Sequence, residues 1–551
     1  EEAAALFRQA SSLFELQGCA TGKASSYHGE AQAALRLGKV QLAQERSAAS
    51  IRELRSSVEA LSEERPPALG LPRLRELWQF QMECLMALHE TGSGVVAPHQ
   101  ALTVLGDWKG FRRRIAMAAT APGELPTGNL PRLAEELRRA RETAAVESPE
   151  ILELLDGSIE TWPRLDFGDL PPDTQILAFA LGEARSYAWL ASRQGMRVFT
   201  LPSRVEIDTA AQGFFDLLAT SRPGDETVRR RAGEHLAMLL LGELAEYLEG
   251  PKLVIVPDGS LHHVPFCALP QFWREDPAAA ERYLVEDFSI SFLPALDLYR
   301  RSPAPAARRA WSRRQLEILV PWEARPRSQE AARRLRAEAE AMGFRTVEIA
   351  PVFAAQEPPH RTLVPAFRAP FLRLEPRVAG RPGQERTVLL LPSARARSGS
   401  GERLLELSEL SSLDLTSELL SLELRPDPLY DTEQQSGLSV LLEGLLLAGA
   451  RRLLVGLWDL PGDQLSELRL RFFGRLFGTV GPGGREEPGE VLRWAKLSMI
   501  ADPKWSDPCH WGALQLHEAE AWEETNGAFE DDFLTAGRPL SCTDPQARSP
   551  F

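Results

Sequence analysis

Four apolar residues in a row, Leu253–Val256, end abruptly at Pro257-Asp258-Gly259. A strand that alternates apolar and polar residues can leave one face in water, whereas an unbroken apolar strand has to be covered on both faces. Runs of the same kind recur at Phe288–Phe292, Leu316–Val320, Thr346–Ile349, Val388–Leu391 and Leu453–Trp458. Helical segments lie between most of them, at Gln329–Met342, Leu413–Leu424, Leu438–Leu447, Asp463–Leu476 and Gly489–Ile500. Strand and helix in alternation predict an α/β domain, a mostly parallel sheet with helices on both faces.

Ahead of that domain the period of the apolar residues is different. Over residues 1–165 they recur three and four apart, as in Ala3, Leu6, Ala10, Leu13 and Phe14, or Ala31, Ala34 and Leu35. Gly18 and Gly38 close two of these helices with the residue that best tolerates a left-handed backbone. Two helices with their turns then take about 40 residues, a period that suits stacked helix–turn–helix repeats. The segment loosely resembles tetratricopeptide repeats, although their Trp-Leu-Gly-Tyr pattern is absent. From Pro172 three short apolar runs, Ile176–Gly182, Ser186–Ala191 and Met196–Pro202, predict an antiparallel meander. Helices follow at Val205–Leu218 and Thr227–Leu248. Two Pro-rich joints, residues 301–314 and Pro351–Arg386 with its seven prolines, are expected to be irregular. The expected divisions are 1–165 helical, 166–520 α/β, and 521–551 a disordered tail.

Composition excludes several classes. The 551 residues carry a net charge of −14, against a general nucleic-acid binder, which needs a basic face for phosphate. The arginine clusters Arg112–Arg114 and Arg229–Arg231 sit beside acids and read as solvated helix faces. Five widely spaced cysteines, with no Cys-x-x-Cys and no zinc spacing, suggest neither a disulfide framework nor a metal site. No signal peptide is visible in the opening EEAAALFRQA, and the lack of an initiator Met reads as a fragment. The longest apolar run, Leu438–Ala450, holds Glu443 and is too short to cross a bilayer. These readings predict a reduced, cytoplasmic protein with no cofactor and no membrane contact.

Several motifs, in order, carry a family resemblance. Lys252–Pro270 reads strand, Pro-Asp-Gly, short linker, then Val-Pro-Phe-Cys-Ala-Leu. Tyr283–Tyr299, Arg334–Gly343, Leu445–Gln464 and Cys509–Glu518 follow in sequence. Together they resemble CHAT domains, the caspase-like cysteine peptidases commonly found behind tetratricopeptide repeats. The resemblance spans roughly residues 170–518 and implies a caspase-like fold, a Cys–His pair and a bacterial source. In the family the His follows one strand as general base. The Cys follows a neighbouring strand, where its thiolate attacks a carbonyl carbon.

Set against that pattern, Thr387–Gly399 is expected to be the His strand, with Ala394 at the His position and Arg395 after it. An arginine cannot serve as a base. The Cys strand is expected in Arg425–Ser436, which has no cysteine, contains two prolines and looks too short. Other candidates fare no better. Cys509 and His510 are adjacent, and neighbours on a strand point to opposite faces. Cys267 follows His262 and His263 in a turn and reads as a buried structural thiol, the His pair as a loop pair and not a metal site. His517 and Cys542 have no evident partner. Gly18–Ser25 and Gly478–Gly484 are poor phosphate-loop and dinucleotide matches and read as turns.

No catalytic, cofactor-binding or metal-binding residue is therefore assigned. The expected function is that of a silent pseudopeptidase that meets a protein partner through its helical region. The alternative is an active cysteine endopeptidase of the family, with Cys267 recruited as nucleophile and cleavage after a basic or small residue.

Overall fold

The computed structural model describes residues 2–17, 19–60, 71–92, 97–118, 167, 170–220, 224–271, 273, 282–298, 315–320, 336–337, 339–351, 371–374, 377–379, 388–392, 402–405, 419–423, 436–447, 450–458, 462–478 and 486–518. The fold begins with five helices: α1 (Glu2–Leu16), α2 (Ala20–Arg36), α3 (Val40–Ala60), α4 (Leu71–Glu90) and α5 (Ala97–Ala118), each packed on the next. Gly38 ends α2 at φ +71°, and its N–H donates to the Leu35 carbonyl at 2.9 Å. The Lys23 of the poor phosphate-loop match lies inside α2 and pairs with Glu15 and Glu53. Gly18 and the 119–166 part of the helical region lie outside the described residues.

The main sheet has eleven strands in the order β3-β2-β1-β4-β5-β14-β13-β12-β8-β6-β7. Three of them are the expected meander: β1 (Thr174–Ala180), β2 (Ser186–Ser192) and β3 (Gly195–Leu201) pair antiparallel. β1 then runs parallel to β4 (Lys252–Val256), which runs parallel to β5 (Ser289–Phe292), which runs parallel to β14 (Leu514–Glu518). β13 (Arg452–Gly456) is antiparallel to β14 and opens a second parallel block with β12 (Leu419–Glu423), β8 (Phe371–Leu374), β6 (Gln315–Val320) and β7 (Thr346–Pro351). The two blocks point in opposite directions. The carboxyl ends of β12 and β8 therefore lie on the same edge as the start of β14, opposite the edge where β4 ends.

Strand β4 shows how the apolar runs are used. Leu253 and Ile255 face one core, with α6 (Arg204–Thr220), α7 (Glu226–Leu241), α8 (Leu284–Asp287), α10 (Gly462–Leu476) and α11 (Pro488–Ile500). Val254 and Val256 face the other, with α4, α5 and α9 (Ser436–Leu447). Each such fully buried side chain contributes roughly 1.5–3 kcal/mol by leaving water. Two faces, two apolar layers and no polar alternation are one fact seen at three levels. The expected helix-covered, mostly parallel sheet is the architecture observed.

Three local expectations need correction. Leu413–Leu424, expected to be a helix, contains strand β12, whose residues Leu419–Leu422 are all buried. Its crowded leucines fit either period, because a short apolar run does not separate buried strand from buried helix. The Pro-rich Pro351–Arg386 is not wholly irregular, since β8 occupies the proline-free stretch between Pro370 and Pro376, and β9 (Arg377–Ala379) follows. Val388–Leu391 is a strand, but β10 (Val388–Pro392) belongs to a separate antiparallel sheet with β9 and β11 (Glu402–Leu405). Its apolar sequence demanded burial without specifying a partner. Of Gln329–Met342 only the last turn is described, and the 301–314 joint and the tail from 519 fall outside the described residues.

Candidate functional site

The Pro-Asp-Gly motif at the end of β4 is a clamp between the helical region and the sheet. Lys109 on α5, 2% exposed, donates from Nζ to the carbonyls of Pro257 and Pro294 at 2.8 and 2.7 Å. Asp258 accepts from Arg75 Nη2 of α4 at 2.7 Å and from the Leu181 N–H at 2.9 Å. Burial opposes the Asp258 charge, but Arg75, Lys109, the Leu181 N–H and Arg204 outweigh it and hold the carboxyl below its ordinary range. Gly259 follows at φ +55°, and a Cβ there would stand 3.3 Å from Leu181 Cδ1. Each letter of the motif thus has a job: a carbonyl for a buried cation, a carboxylate for an arginine, and a left-handed turn.

From that turn the chain crosses alongside β14 toward the opposite edge. The Gln515 amide donates to the Val264 carbonyl at 2.8 Å, and Cys267 Sγ approaches the Gly512 carbonyl at 3.8 Å. There, a cleft of about 360 Å³ is lined by Arg229, Tyr283, Asp507, Pro508 and His510 among others. Arg229 Nη2 meets Asp507 Oδ2 at 2.5 Å. Burial opposes ionisation of Asp507, and the Cys509 N–H and side chain, with Arg229, reverse that and lower its pKa.

Cys509 and His510 are not on a strand, which corrects the expectation that they point to opposite faces. They lie in α12 (Pro508–Trp511), a helical turn set up by two residues readable in the sequence: Asp507, whose carboxylate caps the Cys509 N–H at 3.0 Å, and Pro508 at the first position. Helical neighbours are about 100° apart and not 180°, so Cys509 Sγ comes within 3.6 Å of His510 Nδ1. Burial, with a contribution from Arg229 and against Asp507, lowers the His510 pKa. Chemically this is a thiol beside a base. Cys509, however, is 2% exposed and does not line the cleft, so its sulfur has no approach to a carbonyl there.

The remaining candidates are dispersed. Cys267 is buried as expected and points at Lys496, 3.0 Å away. His262 is buried in the 259–263 turn, while His263 packs edge-on to Phe215, its pKa pushed down to about 4 by burial. His517 is fully buried on β14, tilted against Phe292 and within 3.2 Å of Gln515 Oε1. Among the described residues no three His, Cys, Asp or Glu side chains converge as a metal ion would require. No described helix is long and apolar enough to cross a membrane.

β8 and β12 are one neighbouring parallel pair, and β10, the strand that precedes Ala394, is not in their sheet. Glu375 and Pro376 come after β8, Leu424 and Arg425 after β12. These residues, Ala394 and 424–435 lie outside the described residues, but their identities are fixed. The sequence has no histidine between His360 and His510 and no cysteine between Cys267 and Cys509.

A match to the CHAT domain family covers residues 230–365, from α7 through β4, β5, β6 and β7. No curated protein matches the sequence of this chain. Among solved structures, the Saccharomyces cerevisiae separase–securin complex is similar at 9% identity and a TM-score of 0.44, over 86% of this chain and 37% of that one. The Arg-specific cysteine proteinase gingipain R is similar at 9% identity and a TM-score of 0.29, over 57% of this chain and 73% of that one. The chain thus spans little more than a third of the separase chain it resembles.

Proposed function

We propose that this CHAT protein is catalytically silent and serves in protein–protein interaction or regulation, meeting a partner through its helical region. One observation carries the reading. The two adjacent parallel strands that would present a base and a nucleophile are followed by Glu-Pro and Leu-Arg, with no imidazole or thiol in the intervening sequence. Without a base to take a proton and a sulfur to attack, acyl transfer loses both covalent partners. The clamp at Asp258 supports the regulatory half of the proposal, because it joins α4 and α5 directly to the loop that crosses the sheet.

Incubating the full chain with a peptide library that includes basic and small residues tests it. No cleavage above a heat-inactivated control is expected. Site-specific cleavage abolished by Cys509→Ala or Cys267→Ala would refute silence. A second reading, a cysteine endopeptidase, is favoured by the 3.6 Å approach of Cys509 to His510 beside the cleft. It requires the buried Cys509 side chain to turn outward, and the same experiment decides it.

A further inference from the structure

Neither the sheet edge nor the cleft uses Cys267 and Lys496, yet they form an unusual contact in the core. Lys496, on α11, and Cys267, in the turn Phe266–Ala268, are each 4% exposed. The lysine Nζ lies 3.0 Å from Cys267 Sγ and 2.7 Å from the Leu514 carbonyl oxygen. Buried lysines ordinarily find a carboxylate. Among the described residues Lys496 has none, and the thiol stands in that place. Against the pair is a small cavity of about 10 Å³ walled by Val285, Ile290, Phe292 and Leu492 together with Arg493 and Gln515. That is roughly the space of one water-sized molecule, room enough for dioxygen to reach the pair.

We propose that Cys267 and Lys496 form a redox-modification site, at which dioxygen closes a nitrogen–oxygen–sulfur bridge between Nζ and Sγ. The balance is complete with dioxygen as the named oxidant. The amine and the thiol together give up two hydrogens, N–O and S–O bonds form, and the second oxygen atom leaves as water. Sulfur and nitrogen each lose two electrons, and dioxygen takes all four. Two equivalents of a dithiol return four electrons and four hydrogens, restoring amine and thiol and releasing the bridging oxygen as water. The reacting atoms already stand close to the separation that a single bridging oxygen spans. The bridge would fasten the loop after Pro-Asp-Gly to α11 across 229 positions of sequence, a long closure that makes unfolding harder.

The full chain, purified under reductant without oxygen, is divided and one half held in air-saturated buffer. Both halves are then denatured, alkylated, digested and weighed by mass spectrometry. The expected product of the aerobic half is a linked peptide pair holding Cys267 and Lys496, heavier than its two free peptides by one oxygen less two hydrogens. It is absent from the anaerobic half, vanishes on dithiol treatment, and is matched by a loss of Cys267 alkylation. Full alkylation of Cys267 after air exposure overturns the proposal, as does an oxygen on Cys267 with no link to Lys496. In Lys496→Met, which keeps the apolar stem, the linked pair and any aerobic rise in melting temperature should both disappear. The wild-type peptide map decides the matter even if that variant does not fold.

Discussion

Asp258 gathers more of the molecule than any other described side chain in the Pro-Asp-Gly signature. It holds α4 through Arg75, the end of β1 through the Leu181 N–H, and the field of Lys109 from α5. Removing one member of a buried charged set strands the others without a counter-charge. Asp258→Ala is therefore expected to destabilise the protein by about 3–5 kcal/mol, read from urea denaturation midpoints at constant slope. A loss within experimental error would show the clamp to be ornamental. The pH dependence has a definite sign. A carboxyl held below its ordinary value of 3.8 contributes fully above that value, and its contribution fades as pH falls through the lower, folded-state value. The motif was conspicuous in the sequence; its partners, contributed from 183 and 148 positions away, were not.

At the scale of elements, β14 carries an acid liability. His517 is enclosed between Phe292 and Gln515, and burial drives its pKa from the ordinary 6.5 to about 3. Between those values the unfolded chain binds the proton and the folded one does not. Stability is thus full above pH 6.5 and falls as the pH drops toward 3, by up to about 1.4 kcal/mol per pH unit. His517→Gln should flatten the part of the acid-denaturation profile between those two pH values; an unchanged slope there would place the sensitivity elsewhere. Elements also show where sequence reading succeeds and fails. The meander, β4, β5, β13, α9 and α11 were legible because length and period agreed, with turn residues at their ends. Strands β12 and β8 were missed because β12 is leucine-rich enough to pass for helix, and β8 is four residues long between prolines. The turn at α12 could have been found from Asp507-Pro508, a cap followed by a first-turn proline.

Across the whole molecule, the last two described helices of the N-terminal region are part of the sheet's cover. Met82, Leu85 and Met86 of α4 and Ala101, Leu102 and Leu105 of α5 share one buried cluster with Ile176, Val254 and Val256. Trp189 of β2 donates to the Pro98 carbonyl at 3.1 Å. Core elements open only with the rest of the fold, so amides in α4 and α5 should exchange hydrogen as slowly as those of β1 and β4. Exchange in α4 and α5 several powers of ten faster than in those strands would mean a loosely attached array. Rigid attachment would give the proposed partner on the helical region a physical path to the sheet.

The most direct measurement exposes the full chain to an electrophilic, caspase-type peptide probe and locates any adduct by mass spectrometry. The account predicts no stoichiometric labelling of Cys267 or Cys509 in the folded protein. A single labelled cysteine whose reaction is blocked by a competing peptide, and lost when His510 is replaced by alanine, would contradict it.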